Sequence, residues 1–389
     1  MRLDVLVFGG GAAGLWCLDR FRRARYHAIL LESTALGSGQ TIQAQGIIHG
    51  GGKYALRGVR DFAAVQATGT MPDRWRRALA GGEEPNLTGT QILSERCHLW
   101  LPRGSTLAWL QSWGLISVIA KAGLLATRPE KIPAAEWPEV LSGSALAVYS
   151  LAEPVISTGS LLKTLAAPHR RAIFLYEAAA PRFLREGVQV GEVLLQPRAI
   201  VLAAGVGNGD LLSKAGLEAD LMQRRPLGMV LLRGSFPPLF GHCVVGGKTG
   251  LTITSPAAGL WQVGGEIAER LAHEETPAAA RRIALAEIRR WLPGLDLTGS
   301  EIAIYHAVRA EGRTEALRRP SGVHASRVAP GLVVAWPTKL SMAPVLADEV
   351  FELVNLDLKD PGGYAEVPPW PVPGVARYPW EVVEWFPVH

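Results

Sequence analysis

At 389 residues the chain has room for two or three domains. With 48% hydrophobic and 19% charged residues it can build a sizeable core, which excludes a disordered chain. The net charge of +5 is mild, and its arginines are scattered, from Arg20, Arg22, Arg23 and Arg25 to Arg281, Arg282, Arg289 and Arg290. Such a surface suits an acidic small molecule, an anionic lipid or a nucleic acid without choosing among them. No run of lysine and aromatics forms a nucleic-acid platform, so nucleic acid is not the expected partner. Cys17, Cys97 and Cys243 make no CxxC pair and are odd in number, which argues against a disulfide scaffold and for a reducing compartment. A strand beginning by Asp4 leaves no room for a signal peptide, and no apolar run of about 18 residues predicts a transmembrane helix. A cytoplasmic location is expected, with membrane-peripheral association left open.

In chain order, Asp4–Phe8 is a short apolar run ending in glycines, the pattern of a buried parallel strand. Residues 12–25 follow as a helix, with Ala13, Trp16, Cys17 and Phe21 on or near one face. Ala28–Glu32 is the second strand. Gly, Ser and Gln dominate 34–52 and predict a loop, and 60–79 reads as helical. From 83 to 144 the chain is punctuated by Gly and Pro and carries Trp100, Trp109, Trp113 and Trp137, which predicts short strands of a second lobe. Ala199–Gly205 returns to the buried-strand pattern. Strand signals recur at 229–232, 251–254 and 261–263, Ala278–Trp291 is an amphipathic helix, Leu332–Trp336 is a last apolar strand, and a helix follows from about Ala343 to Leu353. The segment 361–389 holds seven prolines and three tryptophans, which disfavour regular structure.

Gly9-Gly-Gly11-Ala-Ala-Gly14 satisfies G-x-G-x-x-G in the right context: a strand before, a helix after, and Glu32 ending the next strand, eighteen residues past Gly14. Gly9 permits the tight turn, Gly11 lets backbone approach a pyrophosphate, and Gly14 lets helix and strand pack closely. The diphosphate then sits on free N–H groups at the helix N-terminus, with Glu32 available to ribose hydroxyls. That carboxylate would repel a 2′-phosphate. The motif lies at the extreme N-terminus and has no second good copy, because Gly205-Val-Gly207-Asn-Gly209 has the wrong spacing. A flavin enzyme without a nicotinamide site takes its electrons from the substrate itself, which argues against a monooxygenase or a disulfide reductase.

Over nearly its whole length the chain resembles the D-amino-acid oxidase superfamily of FAD-dependent oxidoreductases. Gly9–Glu32 matches the FAD-binding βαβ unit. The loop from Gly39 to Tyr54 resembles the flavin-side loop, and its Ile48-His49-Gly50-Gly51 portion is closest to the branches that oxidise glycerol phosphate and 2-hydroxyglutarate. Glu153-Pro154-Val155 resembles the start of the second FAD stretch. Leu202–Gly205 resembles the later FAD-binding strand, and Trp261–Gly264 a strand of the substrate lobe. Ala307-Val-Arg309 stands where members carry Leu-Arg-Pro, with Ala310 in place of the proline, and Pro337-Thr-Lys339 resembles the last flavin-contacting loop. The order of these blocks is the specific part.

The resemblance implies an α/β fold with a discontinuous Rossmann-type FAD-binding lobe from 1–82, 145–215 and 323–360. It implies a mainly antiparallel substrate lobe with helices from 83–144 and 216–322, and leaves 361–389 as a Pro/Trp-rich tail. It implies FAD, held noncovalently because Gln43 stands where one branch carries its covalent histidine. The implied cofactor-binding residues are Gly9, Gly11, Ala13, Gly14, Glu32, Ser33, Gln45, Gly46, Ala204, Gly205, Lys339 and Leu340. Arg309 matches the arginine that grips a carboxylate by a bidentate contact. Lys53 and Tyr54 match substrate-facing positions, and His49 is the local candidate for taking a proton from an alcohol. Lys248 is a looser candidate near the flavin. Duller roles stand beside these: His49 in a flavin or backbone hydrogen bond, Arg309 in an ion pair, Lys339 as a solvated loop lysine. Cys97-His98 and His242-Cys243 do not have ligand spacing, so no metal is expected.

The expected reaction is oxidation of a small acidic 2-hydroxy acid or related polar alcohol, with the electron acceptor (oxygen, quinone or a partner protein) open. An amino-acid or secondary-amine oxidase is the alternative. A flavoprotein subunit of a heteromeric dehydrogenase, docked through Trp370, Trp380, Trp385 and Phe386, and an RNA-modifying flavoenzyme are the readings from other classes.

Overall fold

The structure is a computed structural model that describes residues 1–50, 69–103, 129–176, 181–218, 220–245, 248–315, 319–355, 358 and 370–388. Strand β1 (Arg2–Phe8) is buried from Leu3 to Phe8 because its side chains are covered on both faces. Helix α1 (Ala12–Arg23) returns across it to β2 (Ala28–Glu32), and β1 and β2 pair in parallel from Val5↔Ala28 to Phe8↔Leu31. The sheet around them runs, in order, 324–329, 332–336, 193–202, β1, β2 and 173–175, and its central pairings are parallel. Its two faces carry separate apolar clusters. On one, Leu15, Leu18 and Phe21 of α1 pack with Leu161, Leu346 and Val350. On the other, Phe8, Ile29 and Leu31 pack with Phe174, Leu202 and Trp336.

A second sheet of nine strands is ordered 386–387, 301–312, 222–233, 260–264, 248–257, 241–245, 97–102, 145–151 and 130–131. All its pairings are antiparallel except that of 241–245 with 97–102. The strand Glu301–Gly312 shows the period of two that this geometry demands. Ile302 and Ile304 join the core under the helix Pro277–Trp291, whereas Ala303, Tyr305 and Ala307 face the opposite side.

Most of the expected elements are present, with informative differences. Ala145–Leu151, grouped by sequence with the flavin lobe, pairs antiparallel with 97–102 and 130–131 in the nine-stranded sheet. Its nearly uniform apolar run has no period to say which sheet it joins. The helix expected over 60–79 is seen as Met71–Leu79, and 60–68 lie outside the described residues. Trp75 of this helix packs on Trp16 at 4.9 Å and donates Nε1–H to the Ser341 carbonyl at 2.9 Å. Trp100 is fully buried, while Trp109 and Trp113 lie outside the described residues. Cys17, Cys97 and Cys243 are buried free thiols, and burial pushes the Cys17 thiol up to about 12. Among the described residues no helix is long and apolar enough to cross a membrane.

The C-terminal segment packs along its own chain. Trp370 sits edge-on to Phe174, Leu36 and Ala376 exchange a backbone bond of 3.0 Å, and Phe386 pairs with Ile302 at the edge of the second sheet. Tyr378 is its clasp: the hydroxyl accepts from the Gly159 N–H at 2.8 Å, meets the Ser157 hydroxyl at 2.8 Å, and the ring stacks on Trp380 at 4.2 Å. Removing that oxygen leaves two part-buried groups short of a partner. Tyr378→Phe should therefore lower the stability of the chain by about 1–3 kcal/mol, read as an earlier midpoint in urea unfolding at unchanged slope.

Candidate functional site

The glycine turn is dictated by two close approaches. Gly9 has φ +106, and a side chain there would meet the backbone of Ala203 and Ala204. A Cβ on Gly14 would lie 1.9 Å from the Gly9 carbonyl oxygen, so only glycine lets α1 start this near the end of β1. Gly11 is different, since its Cβ would meet only the Thr41 hydroxyl at 3.1 Å. Glu32 is buried, and its carboxylate accepts from the N–H groups of Gly10 (2.6 Å), Ser33 (2.8 Å) and Thr34 (3.0 Å). Three backbone donors make up for the lost hydration of a buried charge.

A cavity of 780 Å³ extends from this turn to the second sheet. Of the sequence-predicted cofactor residues, Gly9, Gly11, Ala13, Glu32, Ser33, Gln45, Gly46, Ala204, Gly205, Lys339 and Leu340 line it, whereas Gly14 does not, in keeping with a packing role. His49 and Arg309 line the same cavity. Lys53 and Tyr54 lie outside the described residues. Lys248 is exposed and not itself a lining residue, and it pairs at 3.1 Å with Glu266, which lines the cavity.

The loop carrying Gln45 and Gly46 is locked in place. The Gln45 amide donates to the carbonyls of Thr252 (2.9 Å) and Gln262 (2.8 Å), and a Cβ on Gly46 would lie 2.0 Å from the Ile156 oxygen. The carbonyl of Gln43 accepts from Gln262 (2.9 Å) and from the Tyr305 hydroxyl (3.0 Å). Burial pushes the Tyr305 phenol well above its ordinary range, so it stays a neutral donor. Tyr176, also on the cavity wall, is pushed up to about 12 by burial and by the Glu32 charge.

Sequence reasoning missed three contributors. Asn208 is fully buried, receives the Ala204 N–H at 2.7 Å and donates to the Ala335 carbonyl at 3.2 Å. Trp336 Nε1 donates to Gly205 at 3.0 Å. These two hold the 203–207 turn against the last parallel strand, and the wrong glycine spacing at 205–209 drew attention away from the asparagine between them. Thr338 is the third. It has φ +62, strained for a β-branched residue, and its buried hydroxyl has no hydrogen-bond partner among the described residues. An unanswered polar atom on a cavity wall fits a bound group that answers it. Lys339, read as a solvated alternative, is instead buried and donates to the Ser321 carbonyl at 3.2 Å. It precedes the turn Leu340–Met342, which continues into the helix Ala343–Asn355.

At the other end, His49 Nδ1 lies 3.4 Å from Oε2 of the fully buried Glu153. The His242 ring lies 5.3 Å from that of His49, and His242 Nδ1 meets the Thr252 hydroxyl at 2.9 Å. Potential ligand atoms of His49, Glu153 and His242 come within 4.8 Å of one another, a grouping the search for adjacent Cys-His pairs did not reveal. Arg309 reaches the cavity from 301–312, on the parity that carries Tyr305 and Ala307.

A glycine turn at a helix N-terminus, an acid ending the second strand and a roofing antiparallel sheet together define a two-lobed flavoenzyme of the dinucleotide-binding type. The chain belongs to the FAD dependent oxidoreductase (DAO) family, whose profile matches residues 4–353, and it is an FAD-dependent oxidoreductase. It is 37% identical over 390 residues to the probable FAD-dependent oxidoreductase PA4991 of Pseudomonas aeruginosa, covering 97% of each chain. The crystal structure of that protein superposes with a TM-score of 0.82 over 98% of both chains at 33% identity. Glycine oxidase from Geobacillus kaustophilus (TM-score 0.66, 16% identity, 91% of this chain and 95% of that one) shares the fold. So does L-amino acid deaminase from Proteus vulgaris (TM-score 0.66, 15% identity, 91% and 90%).

The two glycines differ in what they permit. Gly14→Ala forces backbone apart and should purify with most of its FAD missing and a lowered melting temperature. Gly11→Ala meets one movable hydroxyl and should retain more FAD. The ratio of visible to protein absorbance in the two purified variants is the check, and equal flavin loss in both would contradict the packing role of Gly14.

Proposed function

We propose that the chain oxidises a small carboxylate-bearing 2-hydroxy acid, or a related polar alcohol, in the cavity that His49 and Arg309 line. The observation that carries this reading is that an imidazole and a guanidinium line one cavity with the glycine turn. FAD, when bound, supplies the acceptor for the hydride that leaves the substrate carbon. Arg309 grips the carboxylate through paired N–H donors and so fixes which carbon is presented. His49 takes the hydroxyl proton as the C–H bond breaks, leaving a keto acid. Leu227, Met229 and Ala307 form an apolar part of the lining, on the strand that carries Arg309 and on its partner strand. Noncovalent attachment of FAD is supported by the lining: among the described residues it includes no cysteine, and Gln43 faces it where a covalent histidine would stand.

A second reading, an amino-acid or secondary-amine oxidase, is favoured by the structural relatives, which include a glycine oxidase and an L-amino acid deaminase. An amine substrate needs no alcohol base, so the two readings differ at His49.

The test is anaerobic mixing of the yellow protein with 2-hydroxyglutarate, lactate, glycerol 3-phosphate, glycine and proline while the flavin bands are followed. Bleaching by a hydroxy acid, slowed by at least a hundredfold in His49→Gln, is expected. Bleaching by glycine or proline alone, untouched by that change, transfers the assignment to the amine class. Arg309→Met removes charge-assisted hydrogen bonds of about 1.5–3 kcal/mol and should raise KM roughly 10- to 150-fold.

A further inference from the structure

We infer that Glu153 is the positioning residue that sets the tautomer of His49, so that Nε2 is the proton-accepting atom. The inference rests on the reading of His49 as proton acceptor and deepens it.

A carboxylate with no exposure to water is costly unless donors surround it. Glu153 has that burial, and its two oxygens are used differently. Oε1 accepts the Gly50 N–H at 2.7 Å, which fixes the carboxylate to the residue after His49. Oε2 faces His49 Nδ1 at 3.4 Å. A carboxylate only accepts, so the short-range partner it selects on the ring is Nδ1–H. With the proton held there, the lone pair of the neutral imidazole is on Nε2. His49 is partly exposed and lines the cavity, whereas Glu153 is not among the lining residues. The ring is further held by His242, whose centroid lies 5.3 Å away and whose own Nδ1 is engaged with Thr252 at 2.9 Å. Thus Glu153, itself outside the lining, contacts the imidazole at Nδ1, His242 lies at one flank, and His49 lines the cavity. A carboxylate that orients a histidine and stabilises the imidazolium formed on proton uptake is the role played by the acid of hydrolase triads.

The same three side chains invite a metal, because their ligand atoms lie within 4.8 Å of one another. The Gly50 N–H on Glu153 and the proton that Glu153 draws to His49 Nδ1 both oppose a cation there.

Glu153→Gln discriminates. The amide keeps an oxygen for Gly50 N–H and presents NH2 toward Nδ1, which reverses the tautomer. Histidine-labelled holoenzyme is compared by 15N NMR in the wild type, in Glu153→Gln and in His49→Gln, the last serving to assign the His49 signals. The expected result is a protonated Nδ1 in the wild type and a protonated Nε2 in Glu153→Gln, with FAD content equal and Glu153→Asp restoring the wild-type pattern. Any compound of the panel above that reduces the wild-type flavin should reduce Glu153→Gln roughly 10³- to 10⁴-fold more slowly, as an inverted tautomer does in a hydrolase. An unchanged tautomer in Glu153→Gln overturns the inference, as does a stoichiometric metal in the purified protein by elemental analysis. If His49→Gln is reduced at the wild-type rate while the tautomer does invert, the base reading falls and the positional role of Glu153 survives.

Discussion

The segment from Gln40 to Gly50 is hydrogen-bonded to both sheets, and the cavity depends on that double attachment. Toward the nucleotide-binding unit, the Thr41 hydroxyl accepts the Ala12 N–H at 3.1 Å at the start of α1. Toward the second sheet, Gln40 exchanges both of its amide bonds with the backbone of Ala310, and Gln43 and Gln45 bind strand carbonyls and side chains of 252–262 and 305. Glu153 then anchors its far end at Gly50. Glutamine suits this work because it carries a donor and an acceptor on one flexible arm and no charge to desolvate. Gln40 and Gln45 are therefore side-chain ties between lobes, and Gln43 adds a tie through its backbone carbonyl.

Buried charge is distributed along the cavity in a way that follows its chemistry. At one end Glu32 accepts from three backbone N–H groups, whose positions are fixed. At the other, Glu153 shares itself between one backbone N–H and an imidazole. A third buried carboxylate, Glu311, lies beyond Arg309 on the same strand and is held by Arg225 at 2.7 Å and Gln223 at 3.3 Å. Backbone donors cannot move with a proton, whereas an imidazole partner can take or lose one. Among the described contacts of these three acids, the imidazole beside Glu153 is the partner that can change its protonation during a reaction.

The parallel core was legible because its signals are local. Apolar runs mark β1, β2 and 332–336, the first and last of them flanked by glycine, and the glycine spacing after β1 reads directly as the close approach of α1 to its end. Arg309 was legible through a block of neighbouring residues, and this end of its strand runs along the cavity, which 307, 308, 309 and 310 all line. What local pattern does not carry is pairing between distant segments. Ala145–Leu151 looks like any buried strand, and its membership in the second sheet is decided by partners at 97–102. Asn208 and Trp336 escaped for the same reason, since each binds a backbone group far away in sequence, and Thr338 escaped because neither its positive φ nor its unanswered hydroxyl is written in a local pattern. The grouping of His49, Glu153 and His242 spans nearly two hundred residues, which no spacing rule reaches.

The C-terminal segment shows what composition leaves open when geometry is absent. Three tryptophans among seven prolines read as a docking strap for a partner or as a segment packed on its own chain, the latter favoured. In the fold, proline disfavours helix and strand in that segment, and the aromatic rings supply the contacts that hydrogen-bonded ladders would otherwise provide. Trp370 meets the edge of the parallel sheet, Tyr378 clasps the helix that starts at Thr158, and Trp385 lies under Arg233 of the second sheet at 4.4 Å. The strap thus follows the glutamine ties on the outside of the molecule, crossing from one sheet to the other. Two sets of contacts between the lobes, the glutamine ties and this segment, therefore both act against their parting.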